Sequence, residues 1–309
     1  MVLSHPHKNK KLSTNSLTIN QFSLIDKLKD YGVLTKFKLS GLVVFSAAMT
    51  YLLADNLPIR WGGFVLTIIG GWLVTASSNA FNQIIERDLD KMMNRTMHRP
   101  LPTGRMQKPE AIMVAIITGI AGVLILSVFI NLLTGMLAAF SLLSYVLLYT
   151  PLKRITPLSV FVGAIPGALP AMLGYTAATN QLTYAAWVVF FIQFFWQFPH
   201  FWAIAWVMDD DYKKAGFIML PTTHRDKGSA LQTLLYALAL LPVIVLPYIF
   251  NISGVVSLVI IALLTLWFIR LAFLLYQTCT IEAARKLMFG SFVYLPVTFI
   301  ALVLDKYLF

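Results

Sequence analysis

The stretch Asn79–Arg105, NAFNQIIERDLDKMMNRTMHRPLPTGR, begins inside a long apolar segment and ends in a run of charge. Continued as a helix, Asn82, Glu86 and Asp90 fall four residues apart on one face, and Asp88 turns away from that stripe. The acids lie at the C-terminal end of the apolar segment. There the helix dipole is negative and disfavours each exposed carboxylate by ~0.3–1 kcal/mol, so positive charge has to compensate. Arg87, Lys91, Arg95, Arg99 and Arg105 supply part of it. A divalent cation is the more economical partner for carboxylates held on one face, and Mg²⁺ fits best: it takes oxygen ligands, often one or two carboxylates, and completes its shell with phosphate and water. The bland alternative is a solvated, charged helix end at a membrane surface.

Composition places this helix in a bilayer. A hydrophobic fraction of 58% and a mean hydropathy of +0.76 over 309 residues exclude a soluble domain. The net charge of +11 is read as cationic loops rather than as a nucleic-acid surface, because Lys and Arg collect on the cytoplasmic side of membrane proteins. The single cysteine, Cys279, excludes an internal disulfide, and no Cys/His metal spacing is present.

The expected fold is an all-α polytopic membrane protein, with about nine transmembrane helices bundled around a central cavity. The spans are expected near 37 to 55, 62 to 85, 111 to 130, 132 to 150, 158 to 178, 184 to 206, 230 to 250, 254 to 276 and 287 to 304. Residues 1 to 36 read as a tail leading into an interfacial helix over 18 to 36, and 37 to 309 as the membrane domain. The tail lacks the apolar core of a signal peptide, and the first arginine is Arg60. A bacterial inner membrane therefore fits better than a mitochondrial import signal. Of 24 Lys and Arg, all but Arg60 and Lys306 fall in the tail and alternate loops. The positive-inside rule thus puts the N-terminus and both acidic clusters in the cytoplasm and the C-terminus outside.

The second acidic cluster, Asp209–Asp211, ends the sixth span, which runs parallel to the second and so faces the same compartment. Within the sixth span Gln193, Gln197 and His200 form a polar stripe leading toward Asp211. Intramembrane polar residues are costly and therefore informative. His200 suits a metal ligand or a substrate-positioning group; the alternative is a histidine hydrogen-bonded for packing. The glycines and prolines of the fifth span, Gly163, Pro166, Gly167, Pro170 and Gly174, permit close packing or an opened helix beside a cavity.

These motifs together resemble a known family. Asn82-x3-Glu86-x-Asp88-x-Asp90, the following Arg95-Thr96-x-x-Arg99-Pro100-Leu101-Pro102-x-Gly104, Tyr149-Thr150 with Lys153-Arg154, Trp196-Gln197-x-Pro199-His200, and Asp211-Tyr212-x-x-Ala215-Gly216 are similar to the heme O synthases (protoheme IX farnesyltransferases) of the UbiA superfamily of intramembrane prenyltransferases. The acidic motifs fit the whole superfamily; RTxxRPLPxG and WQxPH are more specific. Three residues depart from the family pattern. Glu86 stands for the usual Asp, Ala171 for the second of a proline pair, and Met208 for a common basic residue.

The resemblance implies a UbiA-like bundle. It implies that farnesyl diphosphate is held through Mg²⁺ by Asn82, Glu86, Asp90 and Asp211, with Arg95, Arg99, Lys153 and Arg154 on the diphosphate. It further implies that protoheme IX (heme B) is the acceptor, near His200 and Gln197, and that the product is handed to a heme A synthase or a terminal oxidase assembly. Two rival readings are a UbiA-type enzyme with an aromatic or quinone-precursor acceptor, and a transporter using the Gln/His stripe as a pathway. WQFPH argues against the first. The clustering of polar residues toward one membrane face argues against the second.

Overall fold

The computed structural model describes residues 24–54 and 58–308. The tail expected over 1 to 17, and the start of the interfacial segment, lie outside the described residues. The remainder of that segment forms helix α1, Leu24–Leu34, with Leu24, Ile25 and Leu28 exposed. Nine helices long and apolar enough to cross a membrane follow among the described residues: α2 (Phe37–Ala54), α3 (Trp61–Ile85), α4 (Lys108–Ile130), α5 (Leu132–Leu152), α6 (Ser159–Thr179), α7 (Tyr184–Lys214), α8 (Lys227–Ile249), α9 (Val255–Thr278) and α10 (Ile281–Leu308). The chain is a multi-pass membrane protein. The spans match the sequence expectation to within a few residues except at α10, expected from 287 but beginning at Ile281, and at α7, which continues past its apolar part to Lys214, so Asp209, Asp210 and Asp211 are helical.

Burial separates inner from outer helices. The apolar windows of α6 and α7 are 67% buried, against 22% for α4. The α6 helix packs on α2, α5 and α7, and α7 in turn on α8 and α10. Large side chains such as Met113, Ile117 and Leu124 of α4 face outward, as a lipid-facing helix requires. Lipid is as apolar as leucine, so close packing and interhelical hydrogen bonds hold such a bundle together. Asn79 Nδ2 donates to Ser40 Oγ (3.2 Å) between α3 and α2, Ser77 Oγ to the Ala115 carbonyl (2.7 Å) between α3 and α4, and the Thr134 and Thr176 hydroxyls meet at 3.1 Å between α5 and α6.

Helix α6 stays helical through Pro166 and Pro170. Pro170 has no N–H for the Pro166 carbonyl, and the Ser141 hydroxyl of α5 donates to that carbonyl instead (3.2 Å). In α5, residues Ser144–Tyr149 widen into a π-helix, a local form that recurs at functional sites. It turns Tyr145 and Tyr149 toward the bundle interior, where both line a cavity.

Gly174 marks a close helix crossing, that of α6 on the backbone of α2. A methyl group there would collide with the Ala47 carbonyl oxygen and the Thr50 hydroxyl. Backbone cannot yield as a flexible side chain can, so Gly174→Ala is expected to destabilise by about 1–3 kcal/mol, the usual cost of overpacking. Gly62→Ala, with nothing within 4 Å, is expected to be neutral. Thermal unfolding in detergent checks both; equal midpoints for the two variants would contradict the crossing as described.

Candidate active site

The acidic stripe survives an irregular residue. Glu86 leaves helical geometry at φ −91°, ψ 7°, yet its N–H still donates to the Asn82 carbonyl (3.0 Å) and the Asp90 N–H to the Glu86 carbonyl (2.8 Å). Asn82, Glu86 and Asp90 therefore stay in line at one turn each. They are 2%, 5% and 0% exposed, whereas the Asp88 side chain is 70% exposed and pairs with Arg87 (3.2 Å) and Lys91 (3.0 Å). The acids are not at the solvated helix end that the bland alternative describes: the next loop folds back over them and covers them.

That loop is built around Asp90. Thr96 Oγ1 donates to the Asp90 carbonyl (2.9 Å) and Arg99 Nη1 to Asp90 Oδ2 (2.8 Å). Arg99 is extended (φ −64°, ψ 158°), as a residue before proline prefers. Pro100 then starts the short helical turn Pro100–Thr103, and Gly104 ends it at φ 77°, where a side chain is strained. Arg105 returns to pair with Asp30 of α1 (3.2 Å). The RTMHRPLPTG stretch is thus a clasp that closes Arg99 onto Asp90. Burial raises the Asp90 pKa, an effect that Arg99 opposes and Glu86 reinforces. Asp90 Oδ1 is buried with no hydrogen-bond partner.

Glu86 is matched by Lys153, and the two form an ion pair. Lys153 is held from three directions: its carbonyl accepts from the Ile218 N–H (2.7 Å), and its ammonium lies 5.0 Å from the Tyr149 ring and 5.3 Å from the Phe217 ring. Burial alone would lower its pKa, but the Glu86 charge and its hydrogen bond carry it above the usual lysine value. Arg154, the next residue, is exposed, so the Lys153-Arg154 pair splits, one residue inward and one outward.

Lys36, at the left-handed turn (φ 48°) between α1 and α2, donates to Asn82 Oδ1 (3.4 Å). Burial, with help from Arg99 and Lys153, pulls its pKa down to about 7. Sequence reasoning placed Lys36 among the interfacial lysines and missed it. The available signal was its position one residue before the first span, where a turn can swing a side chain inward.

The second cluster sorts itself. Asp211 accepts from Lys214 (3.0 Å) and from the Arg95 backbone N–H (3.2 Å), which ties α7 to the clasp five residues beyond Asp90. The two acidic clusters therefore belong to one face. Asp209 pairs instead with Lys213 (2.7 Å), and Asp210, 75% exposed, pairs with Arg225 (3.1 Å). Arg95 brings its backbone N–H to Asp211, and its side chain is exposed.

Below the charged end lies a cavity of about 230 Å³, lined among others by Asn79, Tyr145, Tyr149, Gln193, Gln197 and His200. Leu39, Leu42 and Phe292 at its edge are exposed toward lipid. Gln197 Nε2 donates to the Ala164 carbonyl (3.1 Å) and the Gln193 carbonyl (3.2 Å); its carbonyl oxygen sits beside Gly167, where a Cβ would strike it. His200 lies flat on Trp196, centroids 4.5 Å apart, and its Nδ1 is 2.6 Å from Ser291 Oγ of α10.

No three His, Cys, Asp or Glu side chains converge as a metal cage among the described residues. The donors that share the stripe are oxygens from one amide and two carboxylates, including the unpartnered Asp90 Oδ1. This set suits a hard cation that arrives with phosphate ligands of its own. An anion entering here meets Lys36, Arg99 and Lys153 at the mouth of an apolar cavity.

The family model described as the UbiA prenyltransferase family matches residues 42–295. A protoheme IX farnesyltransferase of Cytophaga hutchinsonii is 46% identical over 284 residues, 92% of this chain and 99% of the relative. One of Christiangramia forsetii is 47% identical over 91% of this chain and 94% of the relative. Among solved structures, a digeranylgeranylglyceryl phosphate synthase superposes with a TM-score of 0.77 at 23% identity, covering 92% of this chain and all of that one. A UbiA homolog from Archaeoglobus fulgidus bound to GPP and Mg²⁺ gives 0.68 at 15% identity, over 88% and 99% of the two chains. The fold is that of these structures, and the chain belongs to the UbiA prenyltransferase family.

Proposed function

We propose that this protein transfers the farnesyl group of farnesyl diphosphate to the 2-vinyl group of protoheme IX, giving heme O and diphosphate. The observation that carries this reading is the 46–47% identity, over nine-tenths or more of both chains, to relatives named protoheme IX farnesyltransferase. The site agrees with it: cations gather at the mouth of an apolar cavity, as a diphosphate with a long hydrocarbon tail requires.

In the reaction the C1–O bond of farnesyl diphosphate breaks and leaves an allylic cation. The terminal vinyl carbon bonds to C1, and the cation left beside the porphyrin ring takes up water and loses a proton. Mg²⁺, when bound with the diphosphate, neutralises the departing charge. Asn82, Glu86 and Asp90 are the residues that would hold it, with Asp211 fixing the clasp beside them. Lys36, Arg99 and Lys153 supply fixed positive charge where the leaving group develops its own, in a site that excludes bulk water. The apolar cavity keeps water from the allylic cation until the vinyl group has reacted. His200 and Gln197 line the part of the cavity that would receive the ring. Orientation follows from loop charge: the charged face is cytoplasmic, and the membrane is a bacterial inner membrane.

Purified protein incubated with heme B, farnesyl diphosphate and Mg²⁺ is expected to yield heme carrying one hydroxyethylfarnesyl group by mass. Chelation of Mg²⁺ should stop the reaction and its return restore it. An unmodified heme under these conditions would refute the proposal.

The paired lysine and arginine give a sharper test. Lys153→Met is expected to cut turnover by about 10²–10³-fold, as losing a preorganised charge donor does, whereas Arg154→Met should stay within a few-fold of wild type. Equal losses in steady-state rate would mean that burial does not decide which of the two serves the diphosphate. Asp90→Asn preserves volume and is expected to lose at least about 10²-fold in rate. Circular dichroism and a melting curve should separate this loss from unfolding, and near-normal turnover would remove Asp90 from the site.

A further inference from the structure

Ser291 of α10 is fully buried against α7, and two residues of the WQFPH motif grip it. Trp196 Nε1 donates to its carbonyl (3.1 Å), and His200 Nδ1 lies 2.6 Å from its Oγ. The same Oγ is 2.5 Å from the Met288 carbonyl oxygen. A serine hydroxyl carries one hydrogen, and a carbonyl carries none. At 2.5 Å two oxygens need a hydrogen between them, so the serine's own proton goes to Met288. The contact with His200 must then be donated by Nδ1–H. Among the described residues no carboxylate contacts the imidazole, which lies among Trp196, Phe201 and Phe292. An uncompensated charge there is costly, so the ring is neutral and Nε2 carries the lone pair.

Nε2 makes no hydrogen bond to the described residues, and His200 lines the cavity. The ring plane is fixed as well, stacked on Trp196 at 17° and met edge-on by Phe292 at 72°. A metal-binding imidazole has this arrangement: one nitrogen is free for the metal and the other N–H is anchored on a fixed acceptor that sets tautomer and orientation. We infer that Ser291 is a positioning residue that holds His200 in the Nδ1–H tautomer, so that Nε2 is offered to the cavity as an axial ligand for the iron of the porphyrin substrate. This rests on the acceptor reading above.

The test uses the full-length protein in detergent with ferrous heme B, reading the iron–histidine stretch by resonance Raman together with heme affinity. Wild type is expected to show the stretch and His200→Ala to lack it. Ser291→Ala, which leaves Nδ1–H without its acceptor, should lower the frequency and weaken heme binding by about 10–100-fold, the usual effect of losing an outer-shell partner. Ser291→Thr should restore both, and binding of farnesyl diphosphate should be unchanged throughout. If Ser291→Ala does not fold, Ser291→Cys, a weaker acceptor, should move the stretch in the same direction. An identical stretch in wild type and the Ala or Cys variant overturns the inference, as does a stretch that persists in His200→Ala. Farnesylated heme formed by a protein with no iron–histidine stretch overturns this inference alone. No heme binding by wild type and no product would overturn the acceptor reading with it.

Discussion

Two carboxylates buried at the negative end of a membrane helix cannot stand without cations, and the arrangement of the charged face follows from that requirement. Glu86 and Asp90 are nearly inaccessible. Removing one partner of a buried pair typically costs about 3–5 kcal/mol, because the other charge is then stranded. Arg99 and Lys153 meet the need from two separate segments, Arg99 nine residues beyond Asp90 along the same loop and Lys153 from the end of α5. Each brings its own segment with it. The loop that delivers Arg99 becomes the clasp over Asp90, and the turn that delivers Lys153 is fastened to Ile218 beyond α7. Neutralising the stripe therefore also assembles the mouth of the cavity.

The same pairs suggest how the site accommodates substrate. When no ligand is bound Glu86 pairs with Lys153 and Asp90 with Arg99, and Lys36 rests on the neutral amide of Asn82. In the proposed reaction a magnesium diphosphate would offer each group a replacement, with the metal for Glu86 and Asp90 and the phosphates for Lys36, Arg99 and Lys153. Such an exchange would leave neither ion pair stranded and would give Lys36 a charged partner, which keeps the electrostatic cost of binding low. Asp211 stands apart, with both oxygens already engaged. Its contribution is to hold the clasp to α7.

The spans and the acidic stripe were legible in the sequence because they depend on local spacing. Nine apolar runs define nine helices, and residues four apart share a face whatever surrounds them. Burial was not legible, since it depends on where a loop returns. From spacing alone Asp90 looks wet, and only the clasp covers it. Lys153 and Arg154 are equivalent in sequence, and the split between them is set by Phe217 and Ile218, more than sixty residues away. Asp209, Asp210 and Asp211 are likewise indistinguishable until the helix continues to Lys214 and turns one toward the clasp and the others toward Lys213 and Arg225. Lys36 was lost for a similar reason, because its inward path needs a left-handed turn that no glycine announces. Ser291 carries no motif and becomes visible only as the partner of His200, 91 positions earlier.

Helix α7 shows why an intramembrane polar stripe need not be a pathway. Gln193 donates to the Gly167 carbonyl (2.7 Å) and Gln197 to that of Ala164, both on α6, while Trp196 and His200 turn to Ser291 on α10. Successive polar residues thus bind two neighbouring helices to the most central one. A transport route needs donors and acceptors left free along its length to replace hydration. Here the side-chain N–H groups of Gln193, Trp196, Gln197 and His200 are taken by bonds to α6 and α10, which leaves no run of free donors along the stripe. A rigid wall whose donors are already engaged suits a reaction that must keep an allylic cation from water.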